Sequence, residues 1–159
     1  MFSISKTTMT TTTAVPRATP MRRGATTTTA AMRTTGVTLK DLQAAEKKRV
    51  VIELDSVGKV LIQEFMGDVY AVSNKCPHLG LSLQGKTPLL SAKVNDDATI
   101  VCPAHQSAFD LKTGAPKGEW CPSLPELPIV GKSYCGEPKS IATYATSVDE
   151  ATGAISIDA

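Results

Sequence analysis

The chain has 159 residues and a formal net charge of +2, enough for one domain with a modest core and too few for two full ones. No run approaches the roughly 20 apolar residues needed to span a bilayer, so no integral membrane segment is expected. Charge argues against nucleic acid. Residues 1–40 hold Lys6, Arg17, Arg22, Arg23, Arg33, Lys40 and no acidic residue, whereas residues 41–159 hold 11 Lys and Arg against 15 Asp and Glu, a balance of −4 that repels phosphate.

The first 36 residues contain 13 threonines, in runs such as TTMTTTT and GATTTTAA, with no hydrophobic periodicity. Such a segment cannot bury enough apolar surface to offset its chain entropy, so residues 1–36 are expected to be disordered. A basic, hydroxyl-rich, acid-free leader without an apolar core has the composition of an organelle transit peptide rather than a secretory signal. The Thr bias favours a plastid over a mitochondrion, with the processed chain, residues 37–159, in the soluble stroma. A simple flexible tail is the alternative.

Thr38 precedes LKDLQAAEKK, with Asp41 three residues on, which predicts a capped short helix presenting Leu39, Leu42 and Ala45 on one face. VVIEL (50–54), VLIQEF (60–65) and VYAVSN (69–74) read as strands, separated by turns at DSVGK and Gly67-Asp68. Their β-branched content and short spacing favour an antiparallel arrangement. VNDDATIVC (94–102) reads as a hairpin turn entering a strand, and FDLKTG (109–114) as a short strand and turn. Residues 115–139 contain five prolines and are expected to break any regular element, forming a proline-rich cover. IATYATSV (141–148) and AISI (154–157) close the chain as two strands. The result is a small all-β domain of about 120 residues.

The chemistry lies in two interruptions. CPHLG (76–80) and CPAHQ (102–106) place both histidines of the chain beside Cys-Pro pairs, as Cys76-x-His78 and Cys102-x-x-His105. Two thiolates and two imidazoles suit either tetrahedral zinc or an iron–sulfur centre. Structural zinc sites usually group their cysteines together and then their histidines, whereas this chain alternates them. Converging Cys76 and His78 on one ion across a single residue is awkward. Division between two irons, Cys76 and Cys102 on one and His78 and His105 on the other, is easier. Zinc and a metal-free relic remain the alternatives.

CPHLGLSL and CPAHQSAFDLKTG resemble the two cluster-binding boxes of a Rieske [2Fe-2S] domain, and the resemblance extends into GDVYAVSN and across the strand-rich span from about Val50 to Ile157. It implies a small antiparallel β-sandwich with one [2Fe-2S] cluster, ligated by Cys76, His78, Cys102 and His105, and with its histidine-bound iron near the surface. Neutral imidazoles in place of two thiolates lower the negative charge at one iron and raise the potential above that of all-cysteine ferredoxins.

The departures from the family pattern also carry information. Rieske proteins of cytochrome complexes have a further cysteine in each box, forming a bridge between the loops; Leu81 and Ala104 stand there, so that bridge is absent. Ser107 matches a serine that donates toward cluster sulfur, while Phe109 replaces a tyrosine and has no hydroxyl. Fewer donors stabilise the added electron less, so the potential is expected below the cytochrome type. The chain is more similar to soluble Rieske-type ferredoxins, and faintly to plastid Rieske-domain proteins linked to photosystem maintenance, an impression to which WCPSLP contributes. Cys121 and Cys135 are a candidate disulfide or thiol switch, with plain thiols the default in a reducing stroma. Trp120 is expected to pack, and Leu79 and Leu81 to shield the cluster.

These features imply a one-electron carrier. Its partners would be a ferredoxin reductase, an oxygenase or a photosynthetic complex. The alternatives are a redox-sensing regulatory or assembly factor for such a complex, and the ferredoxin component of a multi-chain oxygenase. Both histidines are already used, which leaves none for the mononuclear iron of a self-contained oxygenase.

Overall fold

The computed structural model describes residues 32–85, 87, 90–125, 127–129, 131 and 133–159. The expected leader lies outside the described residues up to Ala31. In chain order the strands are β1 (Met32–Thr38), β2 (Arg49–Leu54), β3 (Gly58–Phe65), β4 (Asp68–Ser73), β5 (Lys93–Val94), β6 (Thr99–Val101), β7 (Ala108–Asp110), β8 (Pro116–Lys117), β9 (Thr143–Tyr144), β10 (Thr146–Val148) and β11 (Ala154–Asp158), with one helix, α1 (Leu39–Ala44). They form three antiparallel sheets, ordered β1-β11-β10, β2-β3-β4-β9 and β5-β6-β7-β8.

The predicted helix and strands are present, except that 141–148, expected as one strand, is split into β9 and β10. Thr38 caps α1 as expected: its hydroxyl accepts from the Asp41 amide at 3.3 Å, and the Asp41 carboxylate accepts from the Thr38 amide at 3.0 Å. Leu42 goes fully into the core. Two features were not expected. Met32–Gly36, placed by the sequence reading in the disordered leader, forms most of β1, because its backbone pairs with β11, from Met32 opposite Asp158 to Thr38 opposite Ala154. The proline-rich span also holds two small regular pieces, β8 and a 3-10 turn at Ser133–Cys135.

The β2-β3-β4-β9 sheet packs on both faces, which accounts for the uninterrupted VLI run of β3. Val60, Ile62 and Ala71 point to one side, where Leu42, Ile155 and Ile157 complete a core with the β1-β11-β10 sheet. Leu61 and Val72 point to the other and pack with Ile100, Phe109, Leu111, Ile141, Cys76 and Cys102. The segment 141–148 passes between sheets: Tyr144 pairs with β4, and two residues later Thr146 pairs with β11. Both box cysteines thus root in a hydrophobic core, which fixes the base of each site loop.

Arg49 ties this arrangement to the segment between the boxes. Its buried guanidinium donates to Gln63 Oε1 at 2.7 Å, Ser91 Oγ at 3.0 Å and the Ala92 carbonyl at 2.9 Å. Desolvation pulls its pKa below the ordinary arginine value, and three acceptors satisfy the buried charge.

Candidate metal centre

The two boxes fold alike. In the first, the Cys76 amide donates to the Leu81 carbonyl at 2.8 Å and the Gly80 amide to the Cys76 carbonyl at 2.8 Å. In the second, the Cys102 amide donates to the Ser107 carbonyl at 2.9 Å and the Gln106 amide to the Cys102 carbonyl at 3.1 Å. Each loop therefore closes between its cysteine and the residues four and five positions on. The fourth position needs a left-handed backbone: Gly80 has φ 71°, and Gln106 adopts φ 61° despite its Cβ. Pro77 and Pro103 follow the cysteines, where a fixed φ suits the first corner of a turn.

This closure directs amide hydrogens at sulfur. The His78 amide donates to Cys76, and those of Ala104 and His105 donate to Cys102. The two thiols also hydrogen-bond each other. Sharing one proton pulls Cys102 down to about 6, with the Cys76 contact as the leading cause, and drives Cys76 up for the same reason. Both cysteines are buried, whereas His78 and His105 are half-exposed. The imidazoles meet through Nδ1, 3.1 Å apart. Burial first, and His105 second, lower the His78 pKa and favour its neutral, ligand-competent form.

Ser107 and Phe109 both sit in the interior beside the boxes. Ser107 is buried beside the second box, and its Oγ accepts from the Cys121 amide at 3.2 Å. Phe109 is fully buried; its ring meets Trp120 edge-on at 6.0 Å, and Trp120 in turn meets His78 at 5.7 Å. Trp120 therefore packs and also borders the site, its indole N–H donating to the Cys135 carbonyl at 3.1 Å. Ala104 contributes its amide, as above. Leu79 and Leu81 are 62% and 46% exposed on the surface of the first loop. Cys121 and Cys135 are free thiols in hydrogen-bond contact with each other, and no bridge joins them.

The sequence reading missed that Cys121 belongs to the site: its Sγ lies 3.3 Å from His78 Nδ1. A signal was present, since Cys121-Pro122 is the third Cys-Pro pair of the chain. The proline-rich segment also reaches the second box, where the Ser123 amide donates to the His105 carbonyl at 3.5 Å.

A β-domain with two matched loops, each bringing one thiol and one imidazole to a shared edge, is the frame of an iron–sulfur protein. Residues 35–131 match the Rieske [2Fe-2S] domain, and the chain belongs to that family. It is 30% identical over 63 residues to the 3-phenylpropionate/cinnamic acid dioxygenase ferredoxin subunits of Escherichia coli (strain K12) and Shigella flexneri, a match covering 40% of this chain. The chain spans about half the length, 54%, of those curated relatives. Among solved structures it is similar to the ferredoxin of carbazole 1,9a-dioxygenase from Nocardioides aromaticivorans IC177. There the identity is 25% and the TM-score 0.53, over 79% of this chain and 95% of that one. A chain in the complex of reduced oxygenase and oxidized ferredoxin in carbazole 1,9a-dioxygenase shares the fold at 17% identity, with a TM-score of 0.57 over 81% and 94% of the two chains.

The donor set fits a [2Fe-2S] cluster. Two nitrogens bound tetrahedrally to one metal at 2.0–2.1 Å stand about 3.3 Å apart, close to the 3.1 Å between the histidine Nδ1 atoms. Among the described residues no three His, Cys, Asp or Glu side chains converge as a single ion requires. The sulfurs meet as one pair and the nitrogens as another, which suits two metals better than one zinc.

Proposed function

We propose that Cys76 and Cys102 hold one iron and His78 and His105 the other, and that the chain carries single electrons as the ferredoxin component of a multi-chain, oxygenase-type system. The observation that carries this reading is the division of the donors, with a buried thiol pair behind a half-exposed imidazole pair. The cluster supplies a one-electron couple. The chain's own residues do the rest: amides of His78, Ala104 and His105 stabilise thiolate charge, and the core holds both loops in place. The imidazole edge, with Leu79 and Leu81 at its rim, is the exit toward a partner. The ferredoxin subunits among the relatives support an oxygenase as acceptor and a ferredoxin reductase as donor.

The test is stopped-flow mixing of the reduced, cluster-loaded chain with the terminal oxygenase of a ring-hydroxylating dioxygenase. Reoxidation within the turnover time of the oxygenase, and product formation when a reductase and NADH replace the chemical reductant, are expected. Reduction by the reductase with no transfer to the oxygenase would overturn the oxygenase assignment and leave the carrier role. Composition supports a second element of this reading, that the Thr-rich leader is a plastid transit peptide. Import into isolated chloroplasts with removal of the leader is expected; retention of full length outside them would refute it.

A further inference from the structure

Two of the four cysteines have no part in the ligand assignment, and the fold brings those two together. Cys121 and Cys135 are free, buried thiols in hydrogen-bond contact with each other. A second bond supports the same closure: the indole N–H of Trp120, next to Cys121, donates to the Cys135 carbonyl at 3.1 Å. The two thiols differ in how they are held. Cys121 is anchored, fully buried, with its amide donating to Ser107 Oγ at 3.2 Å and its Sγ 3.3 Å from His78 Nδ1. Cys135 sits at an edge. It ends the 3-10 turn Ser133–Cys135 and is followed by the exposed residues 136–140. Opening that one turn bares its sulfur while the Cys121 side stays in place.

The start of this segment bears on both imidazoles. Trp120 meets the His78 ring edge-on at 5.7 Å, Cys121 touches the same ring, and the Ser123 amide donates to the His105 carbonyl at 3.5 Å. A covalent link at Cys121 would therefore tie down the stretch of chain that lies against the imidazole edge.

We propose that Cys121 and Cys135 form a reversible disulfide, which clips this segment over the imidazole edge and slows loss of the group held there. The clip rests on the ligand assignment above; the disulfide does not. The oxidant is an external disulfide, small or on a protein. The Cys135 thiolate attacks one of its sulfurs and expels a first thiol, and the Cys121 sulfur, giving up its proton, then attacks Cys135 and expels the second. Two protein thiols lose two electrons and two protons, and one external disulfide becomes two thiols. A dithiol reductant reverses both steps. The bridge closes residues 121–135 into a ring, which removes chain entropy from the opened segment while keeping a contact the closed one already makes.

The experiment treats the full chain, loaded with its cluster and kept free of oxygen, with either oxidised glutathione or dithiothreitol. Alkylation, digestion and mass spectrometry are expected to show a Cys121–Cys135 cross-link after glutathione disulfide and none after dithiothreitol. Bleaching of visible absorbance by an iron chelator is expected to be about tenfold slower in the bridged chain, because attack requires the segment to open. Cys135→Ser is expected to bleach at one rate under both conditions. Both thiols alkylated after oxidation, or a lasting glutathione adduct on Cys135 with Cys121 free, would overturn the disulfide. A bridge that leaves bleaching unchanged would overturn the clip, as would a rate that still responds to the oxidant in Cys135→Ser. The cross-link is read on wild type, so it stands whether or not the variant folds. A wild-type chain that holds no [2Fe-2S] cluster would refute the ligand assignment and the clip with it, while the cross-link still decides the disulfide.

Discussion

Replacing Phe109 by alanine tests whether the core and the centre are one packed unit. Phe109 is fully buried on β7, in the same cluster of residues as Cys76 and Cys102, and connects through Trp120 to His78. Removing such a ring costs about 3–5 kcal/mol, of which the edge-to-face contact with Trp120 supplies about 0.5–1.5 kcal/mol. Domains of this kind are stable by only about 5–15 kcal/mol, so Phe109→Ala is expected to lose about a fifth or more of the total. At about 2–4 °C per kcal/mol, the melting temperature should fall by roughly 6–20 °C. The assay is heat and urea unfolding of the loaded chain, followed by far-ultraviolet circular dichroism and by visible absorbance. Both probes should shift together, because the ring supports the fold and the site loops at once. A loss below about 1 kcal/mol would refute the packing argument. Visible absorbance moving alone would separate the loops from the core.

Gly114→Ala should destabilise by more than about 2 kcal/mol in the same urea assay: its φ is 72°, and a Cβ would meet the Ile141 carbonyl oxygen at 2.0 Å. Thr38→Ala should cost about 0.5–2 kcal/mol through loss of the cap on α1, read by the same unfolding curves. Phe109→Tyr, which adds a hydroxyl in the core shared with both box cysteines, should raise the reduction potential in a redox titration, and no change would remove Phe109 from the account of the potential. Asp110 sits below the ordinary carboxylate pKa, chiefly because the Thr113 amide donates to it. Its contribution to stability is therefore present above about pH 4 and lost as pH falls through the lowered value. Asp110→Asn should flatten that part of the melting-temperature profile between pH 6 and pH 3.

Much of this molecule is legible from local pattern. The alternation and β-branching of 50–74 give three strands, and Thr38 with Asp41 marks the start of α1, because both signals act within a few residues. The two boxes announce the donor set by residue type alone. What escapes is set by distance along the chain. Met32–Gly36 looks like more of the Thr-rich leader, and its strand exists only because β11, more than a hundred residues away, offers an edge. Cys121 falls in a proline-rich stretch with no periodicity, and only the folded chain brings it onto His78. The exposure of Leu79 and Leu81 is likewise set by where the first loop ends on the surface.

The central claim is that four named side chains hold a mixed-ligand two-iron cluster. Low-temperature EPR of the full chain, purified without oxygen and reduced with dithionite, tests it most directly, alongside His78→Ala and Cys102→Ala. The account predicts a rhombic Rieske-type signal with two irons and two sulfides per chain, lost as such when either residue is replaced. A colourless chain carrying stoichiometric zinc, or a rhombic signal that survives His78→Ala unchanged, would contradict it.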